Sequence, residues 1–155
     1  MPPSTPDGVF SAVHADAQAL GGARLLTITV LDHAAGLARR AYSSHPDAYP
    51  VTGTKPMRND AWTDLVLDQK RSFVANSTPE FAVFFADHAL INALGCEAAM
   101  NIPVTDGGAV VGTVNILDAA GHFSPDRVAG FEALIAERRA ELVAAMRRVP
   151  MGDPA

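Results

Sequence analysis

Few residues in this 155-residue chain have side chains that make or break bonds, and their spacing argues against most such chemistry. Cys96 is the one cysteine, so an internal disulfide and a cysteine-based zinc cage are both ruled out. A lone thiol after Gly95 reads first as a small buried hydrophobe; redox sensing would require exposure and a lowered pKa. The histidines are His14, His33, His45, His88 and His122, and none has zinc-protease or cupin-like spacing. "SHPD" brings His45 and Asp47 together in a loop without further ligands. Asp87-His88 suits proton transfer, although Asp87 reads more simply as a helix cap. No phosphate-binding Gly-rich motif precedes a helix. No motif specifies a metal or a cofactor, and the chain is better equipped for binding than for catalysis.

The clearest polar anomaly is "MNIPVTDGGAVVGTVNIL", residues 100 to 117, an apolar hairpin carrying an asparagine inside each strand. A buried amide is costly unless its hydrogen bonds are met. With Asp106-Gly107 alone as the loop, Asn101 and Asn115 point to opposite faces. With Asp106-Gly107-Gly108 as a three-residue loop, Thr105 pairs with Ala109, Asn101 with Thr113 and Ala99 with Asn115. The second register is preferred, because it gathers Met100, Ile102, Val104, Val110, Val114 and Ile116 on the opposite face. Asn101, Thr113 and Asn115 then line a cavity and offer donors and acceptors to a small ligand or to water. The competing reading is that both amides bond the backbone of an overlying loop and hold it shut.

Further candidates for the cavity wall are Tyr42, Tyr49, Trp62, Phe73, Phe81, Phe84 and Phe85. Aromatic residues at helical spacing are more often core than ligand wall. Tyr49 stands apart, because it lies in the Pro-flanked loop "AYPVTG" where packing does not obviously demand an aromatic. Lys55 is placed either to pair with an anionic ligand or simply to face solvent.

These residues need a scaffold, and the patterning supplies one. A helix from Asp7, as cap, to Leu20 carries Val9, Phe10, Val13, Ala17 and Leu20 on one stripe, and Gly21-Gly22 ends it. "LLTITVL" (25 to 31) and "LARRAYS" (37 to 43) read as paired strands. A long loop follows, then a short helix capped by Asn59 or Asp60, a short strand at 72 to 75, and a helix opened by "STPEF". Asp87 begins another helical turn through Leu94. Strands near 97 to 104 and 109 to 117 precede a last helix opened by Ser124 and Pro125. In that helix Val128, Phe131, Ile135, Leu142, Ala145 and Val149 form a near-heptad seam interrupted by Arg138. This order implies an α+β fold with a mainly antiparallel sheet, terminal helices on one face, and loops with short helices over a pocket on the other.

Composition sets the outer limits. Hydrophobic residues make up 48% of the chain and charged residues 19%, as in a globular domain. The expected division is a disordered tail at 1–6, a single domain at 7–149 and a tail at 150–155. A net charge of -5, with only the short scattered clusters "ARR", "ERR" and "MRR", argues against nucleic-acid and anionic-membrane partners. No basic segment leads into an apolar run at the amino terminus, and no apolar stretch is long enough to span a bilayer, so a cytoplasmic location is expected.

"ALGCEAAMNIPVTDGGAVVGTVNILDAAGHFS" resembles the closing half of a GAF domain. The match rests on Ile102-Pro103-Val104, the Asp106-Gly107-Gly108 turn and Val111-Gly112-Thr113, with the opening helix, "LLTITVLD" and the final helix in the expected order. The resemblance implies a sensor fold with a small-molecule pocket over one sheet face, in a family known to bind cyclic nucleotides, tetrapyrroles, haem and small metabolites. It also implies a homodimer through the terminal helices, and a separate effector protein, since this chain has no room for one. One GAF branch reduces free methionine-R-sulfoxide, using a nucleophilic and a resolving cysteine with acidic pocket residues. This chain departs from that branch: it has one cysteine, and Ala99, Asn115 and Leu117 stand where those enzymes carry acids.

Overall fold

The computed structural model describes residues 5–51 and 53–150. Residues 1–4 and 151–155, which make up most of the expected tails, lie outside the described residues. The first helix, α1 (Pro6–Leu20), is capped by Thr5, whose hydroxyl accepts a 3.0 Å bond from the Gly8 amide, and not by Asp7. Pro6 makes this the better start, because proline has no N–H to leave unpaired and its φ is preset for the first turn.

Six strands form one antiparallel sheet in the order β3-β2-β1-β6-β5-β4. They are β1 (Leu25–Asp32), β2 (Leu37–Ser43), β3 (Thr54–Pro56), β4 (Phe73–Ala75), β5 (Ala98–Asp106) and β6 (Ala109–Asp118). Strand β3 was not visible in the sequence, where it is three residues inside a proline-rich loop. Between the strands lie α2 (Ala61–Thr63) with its π-helical continuation Asp64–Asp68, α3 (Thr78–Ala82) and α4 (His88–Ala93). Asp60 caps α2, and Thr63 returns the bond in a capping box.

The β5–β6 hairpin corrects the expected register. Its turn is Gly107-Gly108 with φ of 60° and 86°, a conformation open to glycine at both central positions, so Asp106 pairs with Ala109. An extra residue, Val111, then bulges from β6, and beyond it Val104 pairs with Gly112 and Asn101 with Asn115. The pairing differs from the expected one by two residues. Facing repeats every second residue, so the expected sorting of the two asparagines to one face is kept.

The apolar face of β1, β5 and β6 carries Leu26, Ile28, Met100, Ile102, Val114 and Ile116 in one cluster with residues of the terminal helices. The last helix is two helices, α5 (Pro125–Glu137) and α6 (Arg139–Arg147), broken at Arg138. The Arg138 guanidinium pairs with Asp16 of α1 and with Glu141, tying the break to the first helix. Phe131, Ile135, Leu142 and Ala145, four residues of the expected seam, are buried in this cluster, with Val128 and Val149 packed against it. The seam is therefore spent inside the chain rather than presented to a second copy. Gly112 allows the closest approach: a Cβ there would lie 2.4 Å from the Thr29 carbonyl and 2.8 Å from the Met146 sulfur.

Candidate functional site

The other face of the same strands is built from hydroxyls and amides. Thr27 and Thr29 alternate along β1, Asn101 lies on β5, and Thr113 and Asn115 alternate along β6. Thr27, Asn101, Thr113 and Asn115 are each less than a tenth exposed. They form the floor of a cavity of about 410 Å³, walled by Trp62, Phe84, Phe85, Ile91 and Leu117, with Arg40, Tyr49, Lys55, Arg58, Asp60 and Asp87 around it.

The floor is wired through side chains. The Trp62 indole donates to Asn101 Oδ1 at 2.8 Å, and Asn101 Nδ2 donates to Asn115 Oδ1 at 2.8 Å. Thr113 Oγ1 donates to the same Asn115 oxygen at 2.9 Å. Asn115 Nδ2 in turn donates to Thr27 Oγ1 at 3.1 Å and Thr29 Oγ1 at 3.0 Å. An indole nitrogen can only donate, so Trp62 fixes which end of Asn101 faces it, and that choice fixes Asn115. Both amides bond side chains, among the described residues, and neither bonds the backbone of the loop above.

A second polar group closes the cavity from the loop side. Tyr49 donates from its hydroxyl to Asp87 Oδ2 at 2.5 Å, and one Arg40 Nη donates to the Tyr49 oxygen at 3.0 Å and to Asp87 at 3.1 Å. The same guanidinium lies 3.9 Å from the centre of the Tyr49 ring and donates to the Pro50 carbonyl. Tyr49 is 5% exposed; burial pushes its phenol well above the ordinary range, Arg40 opposes this, and Asp87 adds to it. These bonds hold the loop segment of residues 44–51 beside the cavity. They also correct the expected role of Asp87, whose side chain makes no capping bond to α4. Arg58 pairs with Asp60 at 3.2 Å and donates to the Phe84 carbonyl. Lys55 is exposed and has no ion pair among the described residues.

Of the ten side chains the sequence singled out, Phe73 and Phe81 belong to an apolar cluster with Ile91, and Asn101, Thr113, Asn115, Tyr49, Trp62, Phe84 and Phe85 border this cavity. Tyr42 does not. It packs on Phe10 of α1, with ring centroids 5.8 Å apart, within the helix-side cluster. The cause is a bulge in β2: Ile28 pairs with Tyr42 but Thr29 with Arg40, leaving Ala41 as the extra residue. Arg40 therefore faces the cavity although it stands two residues from Tyr42. Sequence reasoning missed Thr27 and Thr29, although their alternation in "LLTITVL" was the signal. It also missed Arg40 and Arg58, for which no local signal exists.

The remaining reactive groups are used structurally. Cys96 is fully buried, and burial, with Asp118 adding, pushes its thiol up to about 11. His88 Nδ1 lies 2.9 Å from the Phe85 carbonyl, and the imidazole is not part of the cavity wall. Among the described residues no group of three or more His, Cys, Asp or Glu side chains is placed to hold a metal ion. No helix among them is long and apolar enough to cross a membrane.

An antiparallel sheet with helices packed on one face and a polar-floored cavity on the other defines an α+β domain with an open face over its sheet. The family model described as GAF domain matches residues 3–137, and the chain belongs to that family. The fold is similar to the GAF domain/HD domain protein from Geobacter sulfurreducens, with a TM-score of 0.72 and 12% identity over 96% of this chain and 98% of that one. It is also similar to the GAF domain of a two-component sensor histidine kinase from Bacillus halodurans, with a TM-score of 0.67 and 16% identity over 88% and 92% of the two chains. The second GAF domain of DevS from Mycobacterium smegmatis aligns with a TM-score of 0.62 and 17% identity over 94% and 99%. At these identities the likeness shows the shared fold alone. No curated protein matches the sequence significantly.

Proposed function

We propose that this GAF domain is a small-molecule sensor whose ligand occupies the cavity between the amide floor and the Tyr49 strap. One observation carries the reading. About 410 Å³ of space lies over a floor of buried polar side chains from three strands, already oriented by one another. A floor meant only for packing would be apolar, as the reverse face is; polar groups held in place beside open space are what a binding site requires. The open space also favours a sensor over a pure interaction module with a filled core. A catalytic reading has less support, because Asp87 and Tyr49 are tied to each other and His88 is not among the residues that line the cavity.

In this proposal the domain passes ligand occupancy to an effector, as a homodimer. The dimer would use outward faces of the terminal helices, where Leu20 is 51% exposed, since the heptad-like seam is buried. Light scattering gives the oligomeric state directly. The sensor reading is tested by thermal-shift screening against a metabolite collection. A ligand at about 100 times its Kd stabilises by about 2.7 kcal/mol if it binds only the folded state. The expected result is at least one compound whose stabilisation is lost in Asn101→Leu. Stabilisation that survives this substitution would place the ligand elsewhere and overturn the reading.

A further inference from the structure

The hydrogen bonds the floor leaves unmade describe its ligand. Asn115 is saturated: its oxygen accepts from Asn101 and Thr113, and its two amide protons go to Thr27 and Thr29. Asn101 spends one amide proton on Asn115 and keeps the other. Among the described residues Thr27 and Thr29 act only as acceptors, so each keeps its hydroxyl proton. These unspent donors border the cavity. Lone pairs also remain, on Thr113 among others, but an unmet N–H or O–H is the rarer and costlier condition in a folded protein.

The charges point the same way. Arg40 is paired with Asp87, and Arg58 with Asp60. Lys55 has no carboxylate partner among the described residues, so the cavity's charged side chains carry one surplus positive charge. The rest of the wall is apolar, from Trp62, Phe84, Phe85, Ile91 and Leu117.

We propose that the ligand is a small carboxylate with an apolar body. Its negative charge is matched by Lys55, its acceptor oxygens are read by the spare protons of the floor, and its body lies against Trp62 and Phe85. A cationic ligand meets carboxylates already ion-paired to Arg40 and Arg58, although Asp60 Oδ2 accepts no hydrogen bond among the described residues, and a purely apolar ligand leaves the floor donors unmet. This inference rests on the sensor reading above, and the test separates the two.

The experiment compares phenylacetate, phenylacetamide and phenethylamine, which share a body and differ in carrying an anionic, neutral or cationic head. Each is titrated to millimolar concentration into the full chain, wild type and Lys55→Gln. Affinity is read by calorimetry, and the site by the indole N–H resonance of Trp62, the only tryptophan. Phenylacetate should bind about fivefold more tightly than phenylacetamide, a modest factor because Lys55 is exposed and screened. Phenethylamine should bind most weakly. In Lys55→Gln the advantage of the carboxylate should vanish while phenylacetamide binding stays unchanged, which a folding defect would not produce. A shift of the Trp62 resonance with equal affinities for all three, or with the amine tightest, overturns the carboxylate assignment and leaves the sensor reading standing. A Trp62 resonance unmoved by all three compounds overturns the carboxylate assignment, and the sensor reading is then decided by the thermal-shift screen.

Discussion

The two faces of the central sheet are made by the same strands and have opposite chemistry. On β1, β5 and β6, residues facing the helices are Leu26, Ile28, Met100, Ile102, Val114 and Ile116. Their neighbours, one residue away and on the other face, are Thr27, Thr29, Asn101, Thr113 and Asn115. The helix face is filled by side chains; the other holds a cavity and a hydrogen-bonded polar layer. Both faces are largely removed from solvent, so exposure alone does not explain the contrast. The helix face is organised by the hydrophobic effect, which asks only for apolar volume. The cavity face is organised by directional bonds, which ask for particular atoms in particular places and so give specificity with less stability.

Substitutions on the two faces should therefore differ in kind. The largest effect is expected from Phe131→Ala on the helix side, where the ring is fully buried: a loss of about 3–5 kcal/mol in urea unfolding. Asn115→Ala on the cavity side leaves Asn101 and Thr113 without their common acceptor and should cost about 1–3 kcal/mol. If both cost the same, the division of labour between the faces is wrong.

A smaller and more diagnostic effect concerns the strap. The Tyr49 phenol is raised in the folded state above its ordinary pKa of about 10. Its contribution to stability is thus complete below that pH and declines as pH rises toward the folded value, because the unfolded chain releases the proton first. The slope is at most about 1.4 kcal/mol per pH unit. Tyr49→Phe should flatten this decline above about pH 10 in denaturant titrations, and an unchanged slope would remove Tyr49 as its source. The smallest signal is chemical: Cys96, buried and with a raised pKa, should resist a thiol reagent in the folded protein and react only as the chain unfolds. Rapid native labelling would contradict its packing role.

Much of this arrangement can be read from the sequence, and the failures have a common cause. Alternation in "LLTITVL" and across the hairpin marks the strands and both faces, since a period of two is local information. The asparagines stand out because a buried amide demands an explanation. Register is different. Two bulges, at Ala41 and Val111, each insert one residue and reverse facing beyond it, and no local pattern announces them. The first turns Tyr42 to the helix face. The second adds to the one-residue difference made by the two-residue turn, so the partner of Asn101 moves by two residues and its face is kept. Strand β3 was too short to show a period, and Asp87 sits where a cap is expected while its side chain serves Tyr49 and Arg40.

The central claim is that the polar face, and not the packed one, receives a ligand. The most direct check is a two-dimensional NMR titration with any compound that raises the melting temperature, following the Trp62 indole N–H together with the Met100 and Ile116 methyls. The account predicts that Trp62 shifts in proportion to occupancy while the two methyls stay nearly still. Methyl shifts beside a silent Trp62 would contradict it.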